Sequence, residues 1–207
     1  RYAMEVRKFY EITVNRMGLT MTRSPAKTFI FGSLLALGCQ SLQADALREL
    51  SVTFAVKTAS SPTVDGKLDE ACWSQAPTYT SYLVRGSREP APQRTELKVV
   101  WNSAGLTFGI VNVEKNADML RAAAKIRDSG WIWKDDCAEL YIDPSATGSG
   151  HYKFEINSLG VIGDQWEVDP GFTDTQWSAV SAEAAGTRTD ASWTIEFFVG
   201  WDDLKKT

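Results

Sequence analysis

Short runs in which apolar and polar residues alternate recur along the chain after Ala44. This period of two is typical of β-strands that bury one face. The runs are 95–101, 106–113, 138–143, 151–157 and 193–199. Asn102 to Gly105 separates the first two runs and predicts a hairpin turn. The single helical pattern is Asp118 to Ile126, rich in Ala, Leu and Arg. We predict an all-β, antiparallel β-sandwich of jelly-roll or immunoglobulin-like type with one short helix.

Two of the predicted strands place polar side chains on a common face. Their inward positions are apolar, namely Leu140, Ile142, Phe154 and Ile156. The outward positions are then Glu139, Tyr141, Glu155 and Asn157. If the two strands pair, these groups lie below a loop that carries Trp131 and Trp133. Aromatic rings beside carboxylates and amides suit a polar ligand with apolar C–H faces.

The N-terminal region predicts export. Residues 21–44 have a positive start with Arg23 and Lys27, followed by an apolar stretch too short to span a bilayer. We assign 1–20 as upstream sequence or an extended n-region, 21–44 as a signal peptide, and 45–207 as the sandwich. Cleavage after Ala44 and lipidation at Cys39 are both open, so the expected location is periplasmic, extracellular or cell-surface. Membrane contact is expected only if Cys39 is lipidated.

The amino-acid composition argues against several classes of function and favours one kind of ligand. The chain of 207 residues has a net charge of −4, which provides no basic field for nucleic acid. His151 is the only histidine, which argues against a Ser-His-Asp triad or a His-rich metal site. The 8 tryptophans favour binding of amphipathic ligands, because the indole combines a large ring with a polar edge. Three of them occupy inward positions and are interpreted as structural: Trp73, Trp101 and Trp193.

Five segments in order resemble one known family. They are 64–70 with the following Trp73, 95–101, 133–143, 154–160 and 193–196. This sequence resembles the family 9 carbohydrate-binding modules over Pro62 to Leu204. The most specific segment is Trp133 to Asp143. The final strands of the family pattern are not found, so we expect an incomplete sandwich that belongs to a longer chain.

The resemblance implies a non-catalytic module that binds a mono- or oligosaccharide, or a polysaccharide chain end, and is attached to a polysaccharide-degrading or surface protein. By position, Trp133 matches an aromatic platform, and Glu139 and Asn157 match polar sugar ligands. Glu155 stands where a characterised member carries Arg. The second platform would lie beyond Thr207. Within the chain, Trp131, Trp166 and Trp177 are the alternatives for further aromatic contact.

Other interpretations of the carboxylates and cysteines stay open. Glu139 and Glu155 fit a glycosidase acid–base pair or a solvated polar face. Four aspartates could bind calcium or cap turns, namely Asp135, Asp136, Asp143 and Asp164. Cys72 and Cys137 could form a disulfide or be small buried residues. No cofactor is expected apart from this unassigned calcium.

Three other functional classes remain. A haem-binding redox sandwich would need axial ligands, for which Met119 and His151 are the candidates. The chain could be the accessory module of a glycoside hydrolase whose catalytic domain lies elsewhere. It could also be a surface scaffold without a sugar ligand. We expect a monomer in each case.

Overall fold

The computed structural model describes residues 9–15, 18–20, 54–85, 89–146, 148–168 and 171–205. The predicted signal peptide, 21–44, and the candidate lipidation site Cys39 lie outside these residues. Within the described part of the chain, no helix has the length and apolar character needed to cross a membrane.

Eleven strands account for most of the regular structure. In chain order they are β1 (Phe9–Asn15), β2 (Gly18–Thr20), β3 (Val56–Lys57), β4 (Thr95–Trp101), β5 (Gly105–Val113), β6 (Cys137–Asp143), β7 (Gly150–Asn157), β8 (Ile162–Val168), β9 (Phe172–Asp174), β10 (Glu183–Arg188) and β11 (Ser192–Gly200). Sheet I has the order β2-β1-β6-β7-β8-β9, and sheet II has the order β10-β11-β5-β4-β3. Neighbouring strands are antiparallel except for the parallel pairs β1–β6 and β3–β4. Strands β1 and β2 lie in the stretch that the sequence analysis left outside the folded domain.

The alternation of apolar residues correctly predicted the inward faces. In β6 and β7, Leu140, Ile142, Phe154 and Ile156 are completely buried. The predicted hairpin is also present, since β4 and β5 pair around a turn in which Asn102 Oδ1 accepts the Ala104 N–H at 2.8 Å.

The core lies between the two sheets and is rich in aromatic rings. The ring centroids of Phe154 in sheet I and Phe197 in sheet II are 4.9 Å apart. Phe197 also contacts Phe108 of β5 at 5.9 Å. Such pairs add to the free energy gained from buried apolar area, so this cluster joins the sheets.

The predicted helix over Asp118 to Ile126 is wrong. Only a 3-10 turn, Ala117–Met119, forms there, and the residues after it are irregular. Among the residues that the structure describes, the one α-helix is α1 (Ala71–Gln75), which precedes β4. Two further 3-10 turns cover Ile132–Lys134 and Asp203–Lys205.

Carboxylates from the residues after this stretch explain why no helix forms. The Asp135 carboxylate accepts the N–H groups of Ala123 and Ala124, each at 2.9 Å. Asp136 accepts the N–H of Arg121 at 2.6 Å. Backbone donors bound in this way are not available to an i→i−4 ladder, so tertiary contacts outweigh the helix propensity.

A buried carboxylate fastens the start of the sandwich to β11. Glu196 is completely buried and accepts three hydrogen bonds, from the N–H groups of Asp65 (3.0 Å) and Gly66 (2.8 Å) and from Trp73 Nε1 (3.0 Å). Burial raises the pKa of Glu196, while these donors lower it. Gly66 has φ +83° and lies against Thr187, so a side chain would be strained there.

The three tryptophans interpreted as structural are all packed. Trp193 is 6% exposed and lies in the inter-sheet core, and the half-buried Trp101 packs against that core. Trp73 is 1% exposed, but it packs with Ala76 and Val100 in a separate cluster.

Both cysteines of the described chain are free thiols. Cys72 packs against the Trp73 cluster, and Cys137 begins β6. Burial raises the pKa of the Cys137 thiol well above its usual range. The structure therefore contains no Cys72–Cys137 disulfide.

Candidate functional site

The outer face of sheet I carries two rows of side chains across β6, β7 and β8. The strand register places Glu139 opposite Glu155, and Glu155 opposite Gly163. The next row joins Tyr141, Lys153 and Gln165. The pairing of β6 with β7, which the sequence analysis took as a condition, is thus present, and it brings the two glutamates together.

A cavity of about 580 Å³ opens over these two rows. Its lining includes Trp133, Glu139, Tyr141, Lys153, Glu155 and Gly163. Its rim adds Arg85, residues 128–130 and Thr175. This volume lies within the range of small-molecule sites.

Trp133 enters the cavity lining from the 3-10 turn Ile132–Lys134. The neighbouring Ile132 is completely buried and anchors the turn. The half-buried Trp133 indole donates from Nε1 to the carbonyl of Gly130 at 3.0 Å. Because the neighbouring backbone and the ring nitrogen are both held, the indole loses little conformational freedom when a ligand stacks on it.

The charged centre of the cavity consists of two glutamates and one lysine. Lys153 Nζ donates to Glu155 Oε1 at 2.6 Å and lies 4.0 Å from Glu139 Oε2. The Tyr141 hydroxyl donates to Glu139 Oε2 at 2.9 Å. Like charges opposite one another destabilise a sheet, so the lysine is needed to compensate the pair.

Burial and charge act in opposite directions on these groups. Burial raises the pKa of Glu139, which is only 3% exposed, and the Lys153 ammonium lowers it. Burial lowers the pKa of Lys153, but the hydrogen bond to Glu155 and the charge of Glu139 give a net rise. Burial raises the pKa of Tyr141, and the Glu139 carboxylate raises it further. The lysine and the phenol therefore both keep their protons at neutral pH.

Gly163 allows the Trp133 turn to pack closely on the first row. A Cβ at this position would lie only 3.0 Å from Ile132 Cδ1 and 3.6 Å from Glu155 Oε2. The absence of a side chain therefore makes room for Ile132, which anchors the turn beside the carboxylates.

Asn157, which alternation places on the outer face, is not accessible to a ligand there. It is completely buried. Its Nδ2 donates to the Ala124 carbonyl at 3.0 Å and to Asp135 at 3.1 Å. Its Oδ1 accepts the N–H groups of Leu159 and Val161, each at 3.0 Å. The last residue of β7 thus holds the segment before β6 and the turn after β7.

The alternative tryptophans also lie outside the cavity lining. Trp166 and Trp177 pack on Tyr152, with ring centroids 4.5 Å and 4.8 Å away. Trp131 is 61% exposed, with its ring 6.4 Å from that of Trp133 and with Lys134 Nζ 3.9 Å above it. Of the four tryptophans considered for ligand contact, only Trp133 lines the cavity.

Sequence reasoning missed Lys153 and Gly163, and it assigned Tyr141 to the outer face without a role. Lys153 lies two residues before Glu155 and therefore has the same outward parity. That parity was the available signal for the lysine. Nothing in the sequence indicates that Gly163 accommodates Ile132.

The aspartates considered for calcium serve as local acceptors. Asp143 binds Ser145 and Gly148 of the turn after β6. Asp164 forms an ion pair with Arg127 and accepts the Ala179 N–H at 3.2 Å. Within the described ranges, no three His, Cys, Asp or Glu side chains are grouped so that they could hold a metal ion.

The two candidate haem ligands have other surroundings. His151 Nε2 is 2.9 Å from Glu167 Oε2, and its ring lies 5.2 Å from that of Tyr141. Met119 is 76% exposed on the first 3-10 turn.

The fold and the cavity define a β-sandwich with a polar, tryptophan-flanked binding face. Residues 64–207 match the family described as carbohydrate family 9 binding domain-like, and the chain belongs to this family. It is a carbohydrate-binding module and not an enzyme, as the sequence analysis expected.

Two solved structures share the fold. A candidate carbohydrate-binding protein from Bacteroides uniformis ATCC 8492 is 15% identical, with a TM-score of 0.58 and 72% of each chain covered. A family 9 carbohydrate-binding module from Caldicellulosiruptor kristjanssonii, solved in complex with glucose, is 14% identical. Its TM-score is 0.50, over 74% of this chain and 70% of that one. No curated protein matches the sequence.

Proposed function

We propose that the cavity on sheet I binds the terminal ring of a mono- or oligosaccharide, or of a polysaccharide chain. One observation carries the proposal: a half-buried tryptophan, two carboxylates and a lysine line the same cavity. The family membership and the glucose complex of the C. kristjanssonii module support it.

The cavity provides both kinds of contact that a sugar requires. The C–H face of a pyranose ring can pack on the Trp133 indole, which contributes apolar area and little ordering entropy. The carboxylate oxygens of Glu139 and Glu155 accept hydrogen bonds from hydroxyl groups, and Lys153 can donate one. A neutral ligand fits because the two glutamates already share the Lys153 ammonium as a partner of opposite sign.

The module would then deliver an exported protein to its polysaccharide. We expect it to be attached to a polysaccharide-degrading or surface protein and to act as a monomer. Binding to the sugar would determine where the protein is located, while any catalysis would belong to the attached protein.

Isothermal titration of the chain with a panel of neutral mono- and oligosaccharides tests the proposal. Trp133→Ala should weaken binding about tenfold or more, since loss of ~1.4 kcal/mol of stacking corresponds to a factor of ten. The matched control is Trp131→Ala, which removes an exposed ring outside the cavity lining and should change the affinity by less than about threefold.

Two results would contradict the proposal. One is a folded wild-type protein that binds none of the sugars. The other is equal affinity of the Trp133→Ala variant and the wild type, which would move the site away from this cavity.

A further inference from the structure

Lys153 lies between two carboxylates that face each other across β6 and β7. Its ammonium is 2.6 Å from Glu155 and 4.0 Å from Glu139. The side chains of Lys153 and Glu155 are each 15% exposed, and that of Glu139 is 4% exposed. At this depth water screens charge poorly, so the three groups must be treated as one unit.

We infer that Lys153 is the positioning residue of the cavity, which keeps Glu139 and Glu155 ionised side by side so that both offer acceptor oxygens to sugar hydroxyl groups. The inference rests on the proposed function for its ligand. It adds the residue on which the two acceptors depend.

Without the lysine, the two carboxylates could not both keep their charge easily. The strand register sets them directly opposite each other, and two carboxylates that share a site push the pKa of one of them upwards. A protonated carboxyl group has lost part of its acceptor capacity and has gained a donor. The ammonium removes this penalty for both partners.

The other polar and charged groups around the pair do not take over the role of the lysine. From β6, the Tyr141 phenol donates to Glu139 but brings no positive charge. On the adjacent β7 and β8 positions, His151 is bound to Glu167. The Cys137 thiol is neutral, and Gln165 lies beside Lys153 in the same row.

The loops also contribute charged groups near the pair. Arg127 is paired with Asp164. Arg85 lies on the rim of the cavity and lowers the pKa of Glu139, although its effect is smaller than that of Lys153. Lys153 lies within 4.0 Å of both glutamates and donates a hydrogen bond to one of them.

Titration of the glutamate carboxyl carbons by NMR tests the inference without a ligand. In Lys153→Met, the titration of Glu139 should move to higher pH by about one unit or more, as expected for loss of an adjacent cation. Lys153→Arg should stay close to the wild type. The control Lys67→Met removes a lysine that is 61% exposed and paired with Asp65, and it should leave the titration of Glu139 unchanged.

Sugar affinity as a function of pH provides the second test. The acid limb of binding, where affinity falls as pH decreases, should start at higher pH in Lys153→Met than in the wild type. Raising the pH to about 8 should recover part of the affinity, because the carboxylates ionise again. A residue with a merely structural role would lower affinity equally at every pH.

The outcomes separate this inference from the proposed function. Unchanged carboxyl titrations in Lys153→Met overturn it, and so does an unmoved acid limb in a protein that binds sugar. If the wild type binds no sugar, the proposed function fails, whereas shifted titrations would still support the charge-holding role of Lys153.

Discussion

Asn157 uses its whole amide group to hold the protein together. Two donors reach Ala124 and Asp135, and the oxygen accepts two backbone N–H groups. A completely buried amide with every group satisfied has nothing left to offer a ligand. At this position the chemistry suited to sugars is used for folding.

Replacement of Asn157 should therefore lower stability rather than affinity. We expect Asn157→Leu to reduce the free energy of unfolding by about 2–4 kcal/mol, since the buried partners of the amide lose their hydrogen bonds. Urea denaturation measures this change. Titration calorimetry on the folded fraction should then give an affinity close to that of the wild type.

The opposite pattern, with stability intact and binding lost, would make Asn157 a ligand residue. Asn157→Asp sharpens the test because it keeps the shape and the acceptor oxygens. It places a second carboxylate within 3.1 Å of Asp135, so it should also destabilise the fold.

Single residues show where sequence reasoning succeeds and fails. Alternation placed Glu139 and Glu155 on one face because both lie within regular strands. It did not reveal that Asn157 is buried, because alternation gives no information about a distant segment that packs over the strand. It also did not reveal the role of Lys153, since parity shows on which face of the sheet a side chain lies but not which charged groups surround it.

The irregular segment 120–136, which leads from the first 3-10 turn to β6, is the element that carries the tryptophan of the cavity. It has little regular structure, yet its backbone groups are bound by carboxylates. Asp135 holds Ala123 and Ala124, and Asp136 exchanges hydrogen bonds with Arg121. The segment is ordered by these contacts and not by a helix or a strand.

Asp135→Asn should loosen this segment. One amide oxygen remains as an acceptor, but the new NH2 group faces an N–H donor, which costs about 1–3 kcal/mol locally. Hydrogen exchange of the Ala123 and Ala124 amides should therefore be faster by about tenfold or more. Sugar affinity should fall as well, since the Trp133 turn follows directly along the chain.

Asp143→Asn is the matched control, because Asp143 is the last residue of β6 and caps the turn at that end of the strand. It should leave the exchange of residues 120–124 unchanged. Equal exchange in the Asp135→Asn variant and the wild type would show that the carboxylate does not order the segment.

At the level of elements, the strands were predictable and this segment was not. The strands follow a short-range period that any one of them displays alone. The segment depends on carboxylates 11 to 15 residues away. Its Ala, Leu and Arg content favours a helix only as long as those partners are ignored.

The whole molecule depends on aromatic contact between the two sheets. Phe197 of sheet II touches Phe154 of sheet I and Phe108 of its own sheet. The all-β sandwich itself was predicted from alternation, because inward positions in strands of both sheets had to face a common core.

Phe197→Ala should destabilise the entire sandwich by about 3–5 kcal/mol, through lost burial and a cavity between the sheets. Urea unfolding followed by tryptophan fluorescence and by near-ultraviolet circular dichroism should show one shared transition at lower urea. Phe172→Ala is the control, since Phe172 is 60% exposed on β9 and its loss should change stability by less than about 0.5 kcal/mol. Separate transitions for the two probes would argue against a single core.

The Glu196 carboxylate has a consequence for the order in which the domain is completed. Its partners at Asp65 and Gly66 lie 131 and 130 residues earlier in the chain. During synthesis these residues emerge long before β11 exists, and closing so long a loop is entropically unfavourable until the intervening strands are in place. The indole N–H of Trp73 therefore depends on water as its acceptor until the last described strand arrives. The segment from Asp65 to Trp73 and strand β11 should then become fixed together, in a single late event.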